Sequence, residues 1–215
     1  MALEEVINEY KKLTDEKYGR VLTRFPRAYT HPRRNMETEL GDLMAEGMRE
    51  QLGVDLVLLG SGGIRKPELG PIVTLKDYME LFPYSNSMLA FRLTGEQLRR
   101  AIRFMLREDA FADPESCKWY QVSRGFFCEY DRPARRIVAL KMNGKEVGDD
   151  ELFTVAMEKY HFMSIGQFLD IQPDEITKNG SPLEVATNSV HVLQEYFTRH
   201  EHLEIDGVRR LVVRE

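Results

Sequence analysis

Apolar residues recur along this chain at two spacings, and each spacing predicts a different element. Over residues 3–13, Leu3, Val6, Ile7 and Tyr10 fall at helical intervals with charge between them, the pattern of an amphipathic lead-in or linker helix. From 36 to 52, Leu40, Leu43, Met44, Met48 and Leu52 share one helical face. Asn35 is placed to cap that helix, with Glu37 and Glu39 beside its positive end. The run Gly53-Val-Asp-Leu-Val-Leu-Leu-Gly60 is short and mostly apolar, which predicts a buried strand over 53–60. Thr74 with Asp77, and Thr94 with Gln97, have capping-box spacing. The first pair opens a short helix that stops at Pro83; the second opens a helix whose Leu98, Ile102, Met105 and Leu106 share a face. Strands are predicted at 88–93, 119–130, 136–142 and 152–157, the last two joined through an Asn143-Gly144 hairpin turn, and a helix near 189–199 precedes a final strand near 208–213. Helices interleaved with hairpins and crossovers predict an α+β (mixed α/β) domain, its mixed sheets packed with helices.

Composition narrows the class. With 215 residues, 42% hydrophobic and 30% charged, the chain can bury a good core as one large domain. A net charge of −5 argues against a general nucleic-acid binder, whose affinity rests on excess Lys and Arg, and leaves a small anionic ligand allowed. No apolar stretch approaches the roughly 18 residues of a membrane span, and Met1-Ala-Leu-Glu-Glu lacks the basic-then-apolar order of a signal peptide, so neither membrane nor address is expected. Cys117 and Cys128 are too few for a metal site and are expected to be buried, reduced thiols.

The candidate chemistry follows the buried strand. Gly60-Ser61-Gly62-Gly63-Ile64-Arg65 is a glycine-rich turn closed by an arginine, where backbone N–H groups and a guanidinium can meet an anion; a tight turn and nothing more is the simpler alternative. Upstream, Arg24, Arg27, His31, Arg33 and Arg34 form a local basic patch, and a cap at Asn35 sets Arg34 beside the free N–H groups of a helix entrance. Of the five histidines, His31, His161, His191, His200 and His202, none falls in a metalloprotease spacing; His200 and His202 with Glu201 could bind an adventitious metal, although exposure near a helix end is the simpler reading, and no Ser sits in a nucleophile elbow, so no catalytic centre is expected. Tyr84 and Tyr160, each placed in a loop, offer flat faces for a ring, although packing alone explains either one. Together with the arginines they would make a nucleotide site, base between rings and phosphate on guanidinium, an arrangement the sequence permits without requiring it.

The ordered set Glu37-Thr-Glu-Leu40-Gly41-Asp42-Leu43-Met-Ala45, Gly60-Ser-Gly-Gly-Ile-Arg65, Gly70-Pro-Ile-Val-Thr74, Phe82-Pro-Tyr-Ser-Asn86, Leu93-Thr-Gly95-Glu-Gln-Leu98, Tyr120-Gln-Val-Ser123 and Asn143-Gly-Lys resembles the C-terminal domain of the 5'-nucleotidase family, from about residue 16 to the end. The resemblance implies a linker helix over 1–15 and a nucleotide-recognition domain over 16–215. It implies that Arg34 and Arg65 contact ribose and phosphate, that Tyr84 and Tyr160 sandwich the base, that Asn86 neighbours it, and that Gly62 and Gly63 belong to the same binding turn. Two positions depart from the family: Gly60 stands where an Asn often contacts the base, and Gly166 stands where an Asp holds the ribose, with Gln167 a candidate replacement. The implied parent is a metal-dependent phosphohydrolase of nucleotide catabolism whose divalent metal pair sits in an N-terminal metallophosphatase domain, with no cofactor in these 215 residues and no turnover by them alone. Family members are often exported or surface-held. A stand-alone nucleotide-binding or scaffold domain is the alternative.

Overall fold

A strand that is apolar on both faces must be covered on both, and Leu56–Gly60 is. The structure, a computed structural model, describes residues 3–115 and 119–215. The first part of the chain contributes α1 (Leu3–Tyr18), β1 (Val21–Arg24), β2 (Tyr29–Thr30), α2 (Glu39–Leu52), β3 (Leu56–Gly60), a 3-10 turn at Ser61–Gly63, β4 (Glu68–Leu69), β5 (Ile72–Thr74) and α3 (Leu75–Leu81). Then come β6 (Met88–Thr94), α4 (Gly95–Met105), α5 (Glu108–Ala112), β7 (Tyr120–Val122), β8 (Phe126–Asp131), β9 (Arg136–Met142), β10 (Lys145–Glu146) and β11 (Leu152–Glu158). The last part holds α6 (Lys159–Phe162), α7 (Ile165–Leu169), α8 (Pro173–Lys178), β12 (Leu183–Ala186), α9 (Ser189–Arg199) and β13 (Leu211–Arg214).

The central sheet runs in the order β12-β6-β11-β3-β7, mixed because β11 pairs parallel with β3 and antiparallel with β6. Its strands divide their side chains by the period of two between two cores. Val57, Leu59, Ala90 and Ala156 join the α2, α3 and α9 side, where Leu40, Met44, Tyr78, Leu193 and Phe197 pack. Leu56, Leu58, Phe91, Val155 and Met157 join the other side, with Leu98, Ile102 and Met105 of α4 and Phe126, Cys128 and Leu140 of a second sheet ordered β10-β9-β8-β13. The expected α+β architecture is therefore found, with a sheet as the middle layer between helices and a second sheet.

Local chemistry sets the helix ends. Both predicted capping boxes form, Thr74 with Asp77 on α3 and Thr94 with Gln97 on α4. The cap of α2 is a correction: Thr38, not Asn35, accepts from the Gly41 N–H, and Glu39 is the first helical residue. Thr38 wins because Gln121 fixes it, its carboxamide oxygen 3.0 Å from the Thr38 backbone N, whereas the Asn35 side chain donates to the Phe111 carbonyl instead. The strand expected over 119–130 is two strands in different sheets, β7 and β8, because the chain turns at Gly125 with φ +90°, a conformation that favours glycine. Asn143-Gly144 does make a turn, but it folds β9 onto the short β10, and β11 lies in the central sheet. The lead-in helix runs on to Tyr18, and the last strand begins at Leu211. Cys128 is a buried free thiol, pushed up to about 12 by desolvation, while Cys117 lies outside the described residues. No helix among the described residues is long and apolar enough to cross a membrane.

Candidate functional site

Four chain segments converge at the C-terminal ends of β3 and β11 around a cavity of about 520 Å³. The glycine turn after β3 contributes Gly62, Gly63 and Arg65, the loop after α3 contributes Tyr84 and Asn86, β11 and α6 contribute Glu158, Tyr160 and His161, and α7 contributes Phe168. Six of the residues singled out in the sequence, Gly62, Gly63, Arg65, Tyr84, Asn86 and Tyr160, line this one cavity although they are spread over about a hundred positions.

The turn is held open from below. Ser61, wholly buried, receives a hydrogen bond on its hydroxyl from the Gln121 side chain (2.9 Å), and its N–H donates to the Trp119 carbonyl (2.9 Å). The Arg65 guanidinium donates to the Gly62 carbonyl (3.1 Å) and lies 5.6 Å from the centre of the Tyr84 ring, which poises charge and aromatic face at the same mouth. Tyr84 and Tyr160 are 48% and 66% exposed, so their rings are not consumed by the core.

Arg34 is placed elsewhere. It lines a smaller cleft of about 160 Å³ with His31, Arg33 and Lys66, and Arg65 borders both spaces. Because α2 starts at Glu39, Arg34 is not at a helix entrance; its backbone N–H donates to the Pro114 carbonyl and its guanidinium lies 3.5 Å from Glu115. The basic patch is also less basic than its sequence. Arg27 makes a two-point ion pair with Glu39, and His31 is buried against the Thr38 hydroxyl (2.9 Å), its pKa lowered to about 4 chiefly by desolvation, with the Arg34 charge adding to the shift.

Two polar residues of the wall were not assigned to the site by the sequence reading. Glu158 is 4% exposed, accepts from the Asn86 side chain (3.2 Å) and the Ser189 hydroxyl (2.9 Å), and has its pKa raised by burial against those two hydrogen bonds. The signal was present, since the strand's period of two puts Glu158 on the same face as the core residue Ala156. A carboxylate at a core position asks for partners. His161 is 8% exposed, its Nδ1 2.9 Å from the Tyr120 hydroxyl, with a pKa lowered to about 4 by burial. A β-carbon on Gly60 would collide with its Nε2 and lie 2.7 Å from its Cε1, so the missing side chain at 60 and the ring at 161 fill one space. No sequence spacing reveals that pair.

Gly166 and Gln167 sit in α7 but do not line the cavity; Gly166 faces Gln172, and Gln167 is exposed. His200 is turned to the Tyr196 carbonyl and His202 is exposed. Among the described residues no three His, Cys, Asp or Glu side chains come together to hold a metal.

Comparison with known proteins gives a family. The model of "5'-nucleotidase, C-terminal domain" matches residues 15–171. Endonuclease YhcR of Bacillus subtilis (strain 168) is 30% identical over 132 residues, 60% of this chain and 10% of that protein. The trifunctional nucleotide phosphoesterase protein YfkN of the same organism is 25% identical over 172 residues, 74% of this chain and 11% of that protein. The chain thus spans about a tenth of the length of these curated relatives. In fold it matches a 5'-nucleotidase precursor from Thermus thermophilus with a TM-score of 0.74 at 19% identity, over 98% of this chain and 42% of that one. With the family model covering most of its length, and the fold and ordered motifs agreeing, the chain belongs to the 5'-nucleotidase C-terminal domain family.

Proposed function

We propose that this domain recognises the nucleotide for a 5'-nucleotidase-like, metal-dependent phosphohydrolase. The observation that carries the reading is the convergence of Gly62, Gly63, Arg65, Tyr84, Asn86 and Tyr160 on one cavity. Its parts match those of a nucleoside monophosphate. Two exposed aromatic faces suit a flat base, the Asn86 carboxamide suits a polar base edge, and the Arg65 guanidinium beside the glycine turn suits a dianion. The relative described as a nucleotide phosphoesterase supports the same substrate class.

On this reading the residues here bind and orient, and their binding energy positions the phosphate ester for attack. A metal pair in a separate N-terminal metallophosphatase domain would supply the activated water. The domain by itself then binds nucleotide and turns none over. Arg34 contributes only at the edge, through the cleft it shares with Arg65.

Calorimetric titration of the purified chain with AMP, adenosine, UDP-glucose and inorganic phosphate tests the proposal. Saturable AMP binding is expected, weakened about tenfold to a hundredfold by Arg65→Ala, the loss of a charge-assisted hydrogen bond. Tyr84→Ala or Tyr160→Ala should each cost about 1–3 kcal/mol for nucleosides while leaving the fold intact. No binding of any of these ligands at millimolar concentration overturns it.

A further inference from the structure

We infer that His161 sets which heterocycle the cavity accepts, its Nε2–H donating to an acceptor atom on the edge of a flat ring held by Tyr84 and Tyr160. This rests on the nucleotide reading above and narrows it to bases that present a ring nitrogen or carbonyl at that point.

The tautomer follows from the buried partner. The Tyr120 hydroxyl is wholly buried and has no other acceptor among the described residues, so leaving its proton unpaired would be costly. It therefore donates to Nδ1, and the single proton of the neutral imidazole is on Nε2. Desolvation keeps the ring neutral, so this donor persists across the physiological range. Nε2 makes no hydrogen bond among the described residues, yet the ring lines the cavity. Its plane is fixed by Tyr120, Tyr160 and Phe168, whose ring centres lie 5.2 to 5.3 Å from its own. Position 60 gives the ring its place, because any side chain there would collide with Nε2. A neutral, oriented donor in a mostly apolar pocket reads an acceptor and gives nothing to a sugar phosphate bound at the mouth.

The test is titration of the whole chain with AMP and with ribose 5-phosphate, for the wild type, His161→Leu and His161→Gln. AMP affinity should fall about tenfold in His161→Leu and recover in His161→Gln, which restores an N–H donor. Ribose 5-phosphate affinity should stay unchanged in both. Equal losses for the two ligands, or none, overturn the inference while the nucleotide reading stands. A wild type that binds no AMP overturns both. Should His161→Leu fail to fold, the wild type and Asn86→Ala with the 1-, 3- and 7-deaza analogues of AMP read the same bond from the ligand: weakening by one analogue that persists in Asn86→Ala supports it, and equal affinity of Asn86→Ala for all three overturns it.

Discussion

His31 and His161 are both neutral at physiological pH because water has been removed from around their rings, and each pKa is lowered to about 4. In the unfolded chain both return to 6.5, so between 6.5 and 4 the unfolded state binds more protons. The stability they confer is complete above 6.5 and drains away as pH falls toward 4. Asp42 works in the other direction. It lies 3.0 Å from Arg210, but burial outweighs that charge and pushes its carboxyl up to about 8, so its contribution is full in acid and is lost as pH rises through 8. The two rings, together with Glu39, Glu175 and Asp206, whose carboxyls are held below their ordinary values, predict a net loss of stability on going from pH 7 to pH 4, measured by urea denaturation. Asp42→Asn removes the opposing gain and should make that loss steeper; a loss unchanged in the variant would show that Asp42 is ionised in the folded protein.

Close approach, more than propensity, positions α2. Gly47 on that helix leaves room for the Tyr196 ring of α9, where an added β-carbon would lie 2.5 Å from Cδ1, and Gly41 leaves room for the Gln121 side chain. Alanine is the better helix former by about 1 kcal/mol, and at an exposed helical site Gly→Ala stabilises. Here the steric cost of about 1–3 kcal/mol in a packed interface is larger. Gly47→Ala is accordingly expected to lower stability by about 1–2 kcal/mol in thermal melts, and a stabilised variant would show that α9 gives way. The same network reaches the site: Gln121 joins the α2 cap at Thr38 to the Ser61 hydroxyl at the start of the glycine turn. The turn that presents Gly62, Gly63 and Arg65 is thus tied by hydrogen bonds to the helix behind it.

At the scale of the molecule, the apolar stripe on the first turns of α1 stands apart from both cores. Leu3, Ile7, Tyr10 and Leu13 form a stripe along one face and are 55% to 77% exposed, whereas Tyr18 packs against the first core. A variant beginning at residue 15 should therefore melt within about 3 °C of the whole chain, since little buried apolar area is lost. A larger drop would mean that α1 covers part of the core. What the sequence determined by itself was local. The capping boxes at Thr74 and Thr94, the apolar face of α2, the turn at Asn143-Gly144 and the glycine turn ending in Arg65 each depend on residues within a few positions of one another, where chemistry and spacing suffice. Only the tertiary structure decided what depends on distant pairings. It split 119–130 between two sheets, set β11 parallel to β3, moved the α2 cap to Thr38 through Gln121, and drew Arg34 away from the main cavity. It also put Glu158 and His161 into the wall beside Gly60, because a buried carboxylate and a buried imidazole take their partners from strands and helices far off in the chain, and no local pattern encodes which ones arrive.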